Sequence, residues 1–279
     1  MTTKDFQKSA NKLQEISPPH SGIIDDHAFN EQFQLHCYTP SPNLEPFVVH
    51  IWVQRKRRPS LPGQKPPVEV LSGPNIYLFL SSEAAFIQGI TRHKFKYDAS
   101  ISEVTAGIKF RPGGFYTFAQ KSVSAFSEQT LPATGVFPSA NESFSRELLS
   151  QSDDIIVATL ETLLQTSQPK TDKHLELITR IIAALDNDGS LKTVESVARA
   201  FHMSERTLQL LFQTYVGVNV KWAITRKRFL EAIDQMKMQP DALQTDIATE
   251  LDYNSQSHFT REFKEIIGQP PSAYLKGRQ

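Results

Sequence analysis

Arginine and glutamine are the side chains best matched to the edges of stacked bases. Arginine can span guanine O6 and N7 with two hydrogen bonds, and glutamine can do the same at adenine N6 and N7. Near the C-terminal end of this 279-residue chain such residues fall into two clusters, Arg206, Gln209 and Gln213, then Gln256, Ser257, Arg261 and Lys264, with His258 and Thr260 as secondary candidates. Spacings of three and four put each set on one side of a helix. Between the clusters, Lys221, Arg226, Lys227 and Arg228 are cations suited to phosphate oxygens. Arg206, Gln209, Gln256 and Arg261 are therefore the candidate base readers, and the basic run holds the candidate backbone contacts.

Such side chains work only if something holds their helices. Thr193 is placed to cap a short helix burying Val194, Val197, Ala198 and Phe201; after a break at His202-Met203, Ser204 caps a second helix that buries Leu208, Leu211, Phe212 and Tyr215 and ends at Gly217. The pattern then returns. Asp241 caps a helix with Leu243, Ile247, Ala248 and Leu251, Asp252-Tyr253 breaks it, and Asn254 caps a helix with Phe259, Phe263 and Ile266 that stops at Gly268. Ala198 and Ala248 are 50 residues apart, whereas Phe212 to Phe263 and Gly217 to Gly268 are each 51, so the second copy carries one extra residue. Each copy reads as a helix-turn-helix. Asn219 caps a connecting helix running to about Met238, roughly 30 Å long at ~1.5 Å per residue, against ~34 Å for one turn of B-DNA. Trp222, Phe229 and Ile233 are its predicted core face.

Upstream the texture differs. Residues 1–30 are polar and contain Ser17-Pro18-Pro19, which predicts a mobile or loosely docked arm. Residues 31–166 hold short β-branched and aromatic runs at 47–53, 76–80, 85–87 and 104–110, separated by Pro- and Gly-rich turns, and then helical stripes from about 140. A linker at 167–172 precedes the helical segment 173–279. The predicted class is α+β, with an N-terminal compact sheet or small β-barrel followed by helices, and a C-terminal all-α part.

Composition narrows the function. Cys37 stands alone, so no internal disulfide framework exists; no run reaches the 18 apolar residues of a membrane span, and the polar N-terminus does not read as a signal peptide, which predicts a soluble cytoplasmic protein. The eight histidines form no His-x-His pair or other metal-ligand spacing, so neither a metal nor a cofactor is expected, and no catalytic constellation argues for an enzyme. His36 and His50 read as strand residues and Cys37 as a small buried hydrophobe. Arg55-Lys56-Arg57-Arg58 could grip an anion but beside Pro59 reads as a solvated loop. Thirty basic residues balance thirty acidic ones. That neutrality is a sum of unlike segments: residues 199–228 hold six basic side chains to one acid, 229–254 one to six, and 255–279 four to two.

The strings Val197 to Phe212 and Asp246 to Tyr274, the latter closing Gly268-Gln269-Pro270-Pro271-Ser272-Ala273-Tyr274, resemble the AraC/XylS transcription regulators. Both turns usually hold glycine in that family, where this chain has His202 and Asp252, two residues that tolerate the left-handed region at ~1 kcal/mol. The family often has arginine where this chain has Leu210, whereas the second helix keeps Arg261. Shorter motifs, His36 to Pro42 with Ile51-Trp52 and Phe110 to Phe115, resemble the sensory half of a subset of the family and imply a small cupin-like β-barrel with helices. The resemblance implies double-stranded DNA as partner, contact with RNA polymerase, a small-molecule effector whose binding residues stay unassigned, a homodimer, and an activator. The residues themselves leave activation and repression both open. They also leave open an N-terminal part that only dimerises or contacts proteins and senses nothing.

Overall fold

A computed structural model describes residues 14–16, 22–57, 68–71, 73–97, 102–170, 173–238 and 255–276. The N-terminal part contributes the strands β1 (Glu15–Ile16), β2 (Phe33–Tyr38), β3 (Val48–Lys56), β4 (Val68–Val70), β5 (Tyr77–Leu80), β6 (Ala85–Gln88), β7 (Phe95–Tyr97), β8 (Val104–Phe110) and β9 (Thr130–Pro132). Seven of them form one sheet in the order β1-β2-β3-β8-β5-β6-β9, while β4 and β7 pair as a separate ribbon. Every pairing is antiparallel. Among the described residues β1 and β9 each have one partner, so the sheet ends in two edges and does not close into the expected barrel.

Strand alternation gives this sheet two unlike faces. Cross-strand partners Tyr38, Ile51, Ile108, Leu78 and Ile87 form an apolar row within the main core. After the short α2 (Tyr116–Ala119), helices α3 (Glu142–Leu149) and α4 (Asp153–Thr166) bring Leu148, Leu149, Ile156, Leu160 and Leu164 to the same core, as their periodicity predicts. Residues of opposite parity, among them Cys37, Trp52 and Phe79, face the other way and make a smaller cluster.

The main core does not stop at 167–172. It runs on through Leu175, Ile178, Ile181 and Leu185 of α5 (Lys173–Asn187), then through Leu208, Phe212 and Tyr215 to Ile224. A second cluster joins Ile24 and Leu71 to Phe229, Ile233, Phe259, Phe263 and Tyr274. The N-terminal residues thus pack against both halves of the C-terminal part.

Two expectations are corrected. Residues 22–30 are no loose arm: Asp25 caps α1 (Asp26–Gln32) by accepting from the Ala28 amide, and Ile23, Ile24 and Phe29 are buried. Nor is the basic run at the end of β3 solvated throughout. Arg55 Nε donates to Asp153 at 2.8 Å, Lys56 pairs with Glu103 at 3.1 Å, and Arg57 Nε donates to the Phe33 carbonyl at 3.0 Å. Each of these cations already has a partner, and Arg58 lies outside the described residues.

Candidate nucleic-acid interface

The first motif is built by caps and one left-handed residue. Thr193 and Ser196 form a reciprocal capping box that starts α6 (Val194–Ala200). His202 then takes φ 51°, the left-handed conformation expected where glycine is usual, and the Met203 amide closes on the Ala198 carbonyl at 3.0 Å. Ser204 accepts from the Thr207 amide at 3.1 Å and starts α7 (Glu205–Leu211). Phe212–Val216 prolongs α7 as a π-turn that buries Phe212 and Tyr215 and ends at Gly217, φ 93°. A side chain at Gly217 would sit 2.9 Å from Val123, so glycine serves both the turn and the close approach.

With Leu208, Leu211 and Phe212 buried, the opposite side of this helix faces solvent. Arg206 and Gln213 are exposed there. Gln209 is half-buried, and its Oε1 accepts from the Val220 amide at 3.4 Å, so one of its hydrogen-bonding groups is engaged within the protein. Between them stands Leu210, 67% exposed. In the sequence its signal is an apolar residue out of phase with the core stripe, at a position where the resembled family often has arginine. Leucine there can cover a thymine C5-methyl group, the one apolar mark in the major groove.

The connecting helix α8 (Val220–Met238) is capped by Asn219, whose Oδ1 accepts from the Trp222 amide at 2.7 Å. Its 19 residues span about 28 Å. Lys221 is exposed at its start. Arg226 is not a free cation. Only 3% exposed, it lies 4.8 Å from the Trp222 ring centre and donates to the Arg92 carbonyl, and burial lowers its pKa to about 10. Its position within the 3.6-residue period turns it toward the N-terminal part, so phosphate contact by Arg226 is withdrawn. Lys227 pairs with Glu231 at 3.1 Å, and Arg228 is half-buried.

In the second motif Ser255 is the N-cap, accepting from the His258 amide at 3.1 Å, in place of the expected Asn254. Helix α9 (Gln256–Ile267) buries Phe259, Phe263 and Ile267 and closes on Gly268 at φ 89°. Phe263 packs against Phe229 of α8 and against Tyr274 of α10 (Pro271–Lys276), with ring centres 5.4 and 5.5 Å apart. Gln256, Ser257, Arg261 and Lys264 are all exposed, and His258 and Thr260 are half-buried. The helix predicted from Asp241, with Leu243, Ile247, Ala248 and Leu251, and the turn at Asp252-Tyr253 lie outside the described residues.

Both motifs are tied to the N-terminal part. Ser127 Oγ donates to the Gly217 carbonyl at 2.7 Å and Ser122 Oγ to the Gln213 carbonyl at 3.1 Å. At the far motif Lys94 Nζ donates to the Ile267 carbonyl at 2.9 Å, where the α9 macrodipole favours a cation, and Tyr274 donates to the Ile24 carbonyl at 3.0 Å. Glu69 receives Lys94 and Lys96, each at 2.8 Å; burial alone would raise its pKa, but the two ammonium groups outweigh that and lower it.

Residues 197–277 match a family described as a helix-turn-helix domain, and residues 36–132 a domain of unknown function (DUF6597). Over 81 residues the chain is 33% identical to the HTH-type transcriptional regulator ExsA of Pseudomonas aeruginosa, covering 29% of this chain and 29% of that protein. Over 71 residues it is 37% identical to the F1 operon positive regulatory protein of Yersinia pestis, covering 25% of this chain and 23% of that protein. The match thus spans less than a third of the length of either relative. Among solved structures, ToxT from Vibrio cholerae aligns over 88% of this chain and 98% of its own with 13% identity and a TM-score of 0.42. Residues 197–277 are a helix-turn-helix domain of the AraC/XylS type.

Among the described residues no group of three or more His, Cys, Asp or Glu side chains could hold a metal ion, and no helix is long and apolar enough to cross a membrane.

Proposed function

We propose that the protein is a sequence-specific DNA-binding regulator of transcription whose α7 and α9 read successive major-groove segments of one duplex face. The observation that carries this reading is the pair of serine-capped, glycine-closed helices whose uncommitted sides expose Arg206, Gln213 and Leu210 in one case and Gln256, Ser257, Arg261 and Lys264 in the other. Arg206 and Arg261 are the principal base readers, Gln209 and Gln256 the auxiliary ones, and Lys221 a phosphate contact. A division into an N-terminal part and a DNA-reading part near 167–172, cytoplasmic location, contact with RNA polymerase and self-association belong to the same proposal.

The N-terminal part is the regulatory half, acting through a small-molecule effector. Its bonds to Gly217 and Ile267 support this, because anything that shifts the sheet relative to those two carbonyls shifts both reading helices. Selection of bound duplexes from a random pool tests the DNA half of the reading. Recovery of one sequence class by the wild-type protein, lost in Arg206→Ala or Arg261→Ala, is the expected result; equal affinity of all three proteins for selected and random DNA would overturn it.

A further inference from the structure

A helix leaves its last four carbonyls without partners inside the helix. At the C-terminal ends of both reading helices those carbonyls are received by side chains from far upstream. Where the π-turn prolongs α7, the Gln213 carbonyl accepts from Ser122 Oγ at 3.1 Å and the Gly217 carbonyl from Ser127 Oγ at 2.7 Å. At the end of α9 the Ile267 carbonyl accepts from Lys94 Nζ at 2.9 Å. Between these two ends the Arg226 guanidinium of α8 donates to the Arg92 carbonyl. Residues 92–94 and 122–127 therefore touch the end of one reading helix, the connecting helix and the end of the other.

Those two upstream segments are also joined to each other. The Glu128 amide donates to the Ile90 carbonyl at 2.8 Å, the Gly89 amide to the Gln129 carbonyl at 2.9 Å, and the Arg92 amide to Glu128 Oε1 at 2.7 Å. These bonds continue a strand pair in which Gln88 of β6 stands opposite Thr130 of β9, with the Thr130 hydroxyl donating to Gln88 Oε1 at 2.8 Å. Glu128 has φ 59°, a conformation that a residue other than glycine keeps where surrounding bonds hold it. The approach is close. A side chain at Gly89 would fall 1.7 Å from the Phe126 carbonyl oxygen, so the segments have no room to slide past one another.

A single rod such as α8 sets how far apart two motifs lie but leaves each free to swing and twist about its attachment. A second tie, displaced from the axis of the rod, removes that freedom. We propose that residues 89–94 and 122–128 are this second tie, a brace that fixes the distance and the rotation between α7 and α9, with Ser127 and Lys94 as its positioning residues. The consequence is specificity for spacing. One base pair added between two elements separates them by ~3.4 Å and turns one about 35° around the duplex relative to the other, a displacement that a braced pair of helices does not follow. This deepens the reading of one duplex by two helices and rests on it for the spacing consequence, though not for the brace itself.

Full-length protein carrying Gln213→Cys and Lys264→Cys, spin-labelled at both, reports the separation of α7 and α9 by pulsed electron–electron double resonance without DNA. Both positions are exposed, and the native Cys37 is buried. The intact brace should give one narrow distance distribution. Ser127→Ala combined with Lys94→Met should widen it roughly twofold, each change alone should give an intermediate width, and Lys94→Arg, which keeps a donor for the Ile267 carbonyl, should stay narrow. Lys56→Met removes the pair with Glu103 elsewhere on the sheet and should leave the width unchanged, which separates the brace from general loosening. In unlabelled protein, competition between selected duplexes and the same duplexes with one base pair added or removed between the elements should show about a tenfold spacing preference for wild type and about threefold or less for the double variant. Base preference within each element should be the same in both. An unchanged distance distribution in all the Ser127 and Lys94 variants, or equal widening in Lys56→Met, overturns the brace. The two readings fail separately: selection of no sequence class removes the reading of DNA and leaves the spin-label distances to decide the brace, whereas two selected elements with an unaltered spacing preference in the double variant retain the reading and remove the brace.

Discussion

The two reading helices share a frame and differ in what they show to solvent. Each begins at a serine whose hydroxyl accepts the amide three residues on, each is pinned by a core pair at i and i+4, and each is followed by glycine with φ near 90°. On the uncommitted side the likeness ends. Helix α7 exposes Arg206 and Leu210 and has Gln209 bonded inward, whereas α9 exposes Gln256, Ser257, Arg261 and Lys264. Folding constrains the buried and capping positions of both copies alike, and leaves the outward ones free to diverge. Under the proposed reading the difference assigns them unequal work: α9 would carry more of the polar and cationic recognition, and α7 would combine one arginine with an apolar contact.

The largest effect tests whether the frames are equivalent. Phe212 and Phe263 are both fully buried at matching positions, and alanine at either should cost roughly 3–5 kcal/mol of stability, read by denaturant unfolding. A much smaller loss at Phe263 would break the equivalence, since its cluster is the smaller and draws on Ile24 and Leu71 of the N-terminal part. Next come the readers. Arg261→Ala should lose about 1–3 kcal/mol of discrimination in a competition assay, and Arg206→Ala a similar amount at a different base pair. Leu210→Ala should leave stability within about 0.5 kcal/mol while weakening preference for thymine at one position by about 1 kcal/mol, and equal binding to uracil-substituted duplex would confirm loss of a methyl contact.

Caps are expected to matter less and about equally. Ser204→Ala and Ser255→Ala should each cost about 1 kcal/mol in thermal unfolding, since each removes one acceptor from a helix start. Smallest is the contrast along α8. Lys221→Ala should reduce the slope of log affinity against log salt by about 1, whereas Arg226→Ala should leave that slope unchanged and show instead as lost stability, because its guanidinium is bonded to the Arg92 carbonyl. A reduced salt slope in Arg226→Ala would restore it as a phosphate contact.

Local chemistry explains which parts could be read in advance. Caps, left-handed turn residues and the 3.6-residue stripe act within one turn of chain, so Thr193, Ser204, Asn219, Gly217 and Gly268 could be placed from sequence, and His202 could be given its conformation. The four strand runs could be read for the same reason. What could not be read depends on partners distant along the chain. Arg226 resembles its basic neighbours until Arg92 is brought against it, and Arg55 reads as loop until Asp153 receives it. Whether a sheet closes into a barrel is a matter of which edge meets which, and residues 22–30 read as a polar arm because the partners that bury Ile23, Ile24 and Phe29 come mostly from strands and helices far away in sequence. Of the candidate site, the outward positions of α9 follow from periodicity alone; the inward bond of Gln209 does not, and Leu210 stands out only once its exposure is known.

The central claim is that two helices read two separate elements of one duplex. Selection of duplexes by the wild-type protein, repeated with Arg206→Ala and with Arg261→Ala, tests it most directly. The account predicts two short conserved elements centred about one helical turn apart, roughly 10 base pairs, with information lost from one element in the first variant and from the other in the second. A single element, or loss from the same positions in both variants, would contradict it.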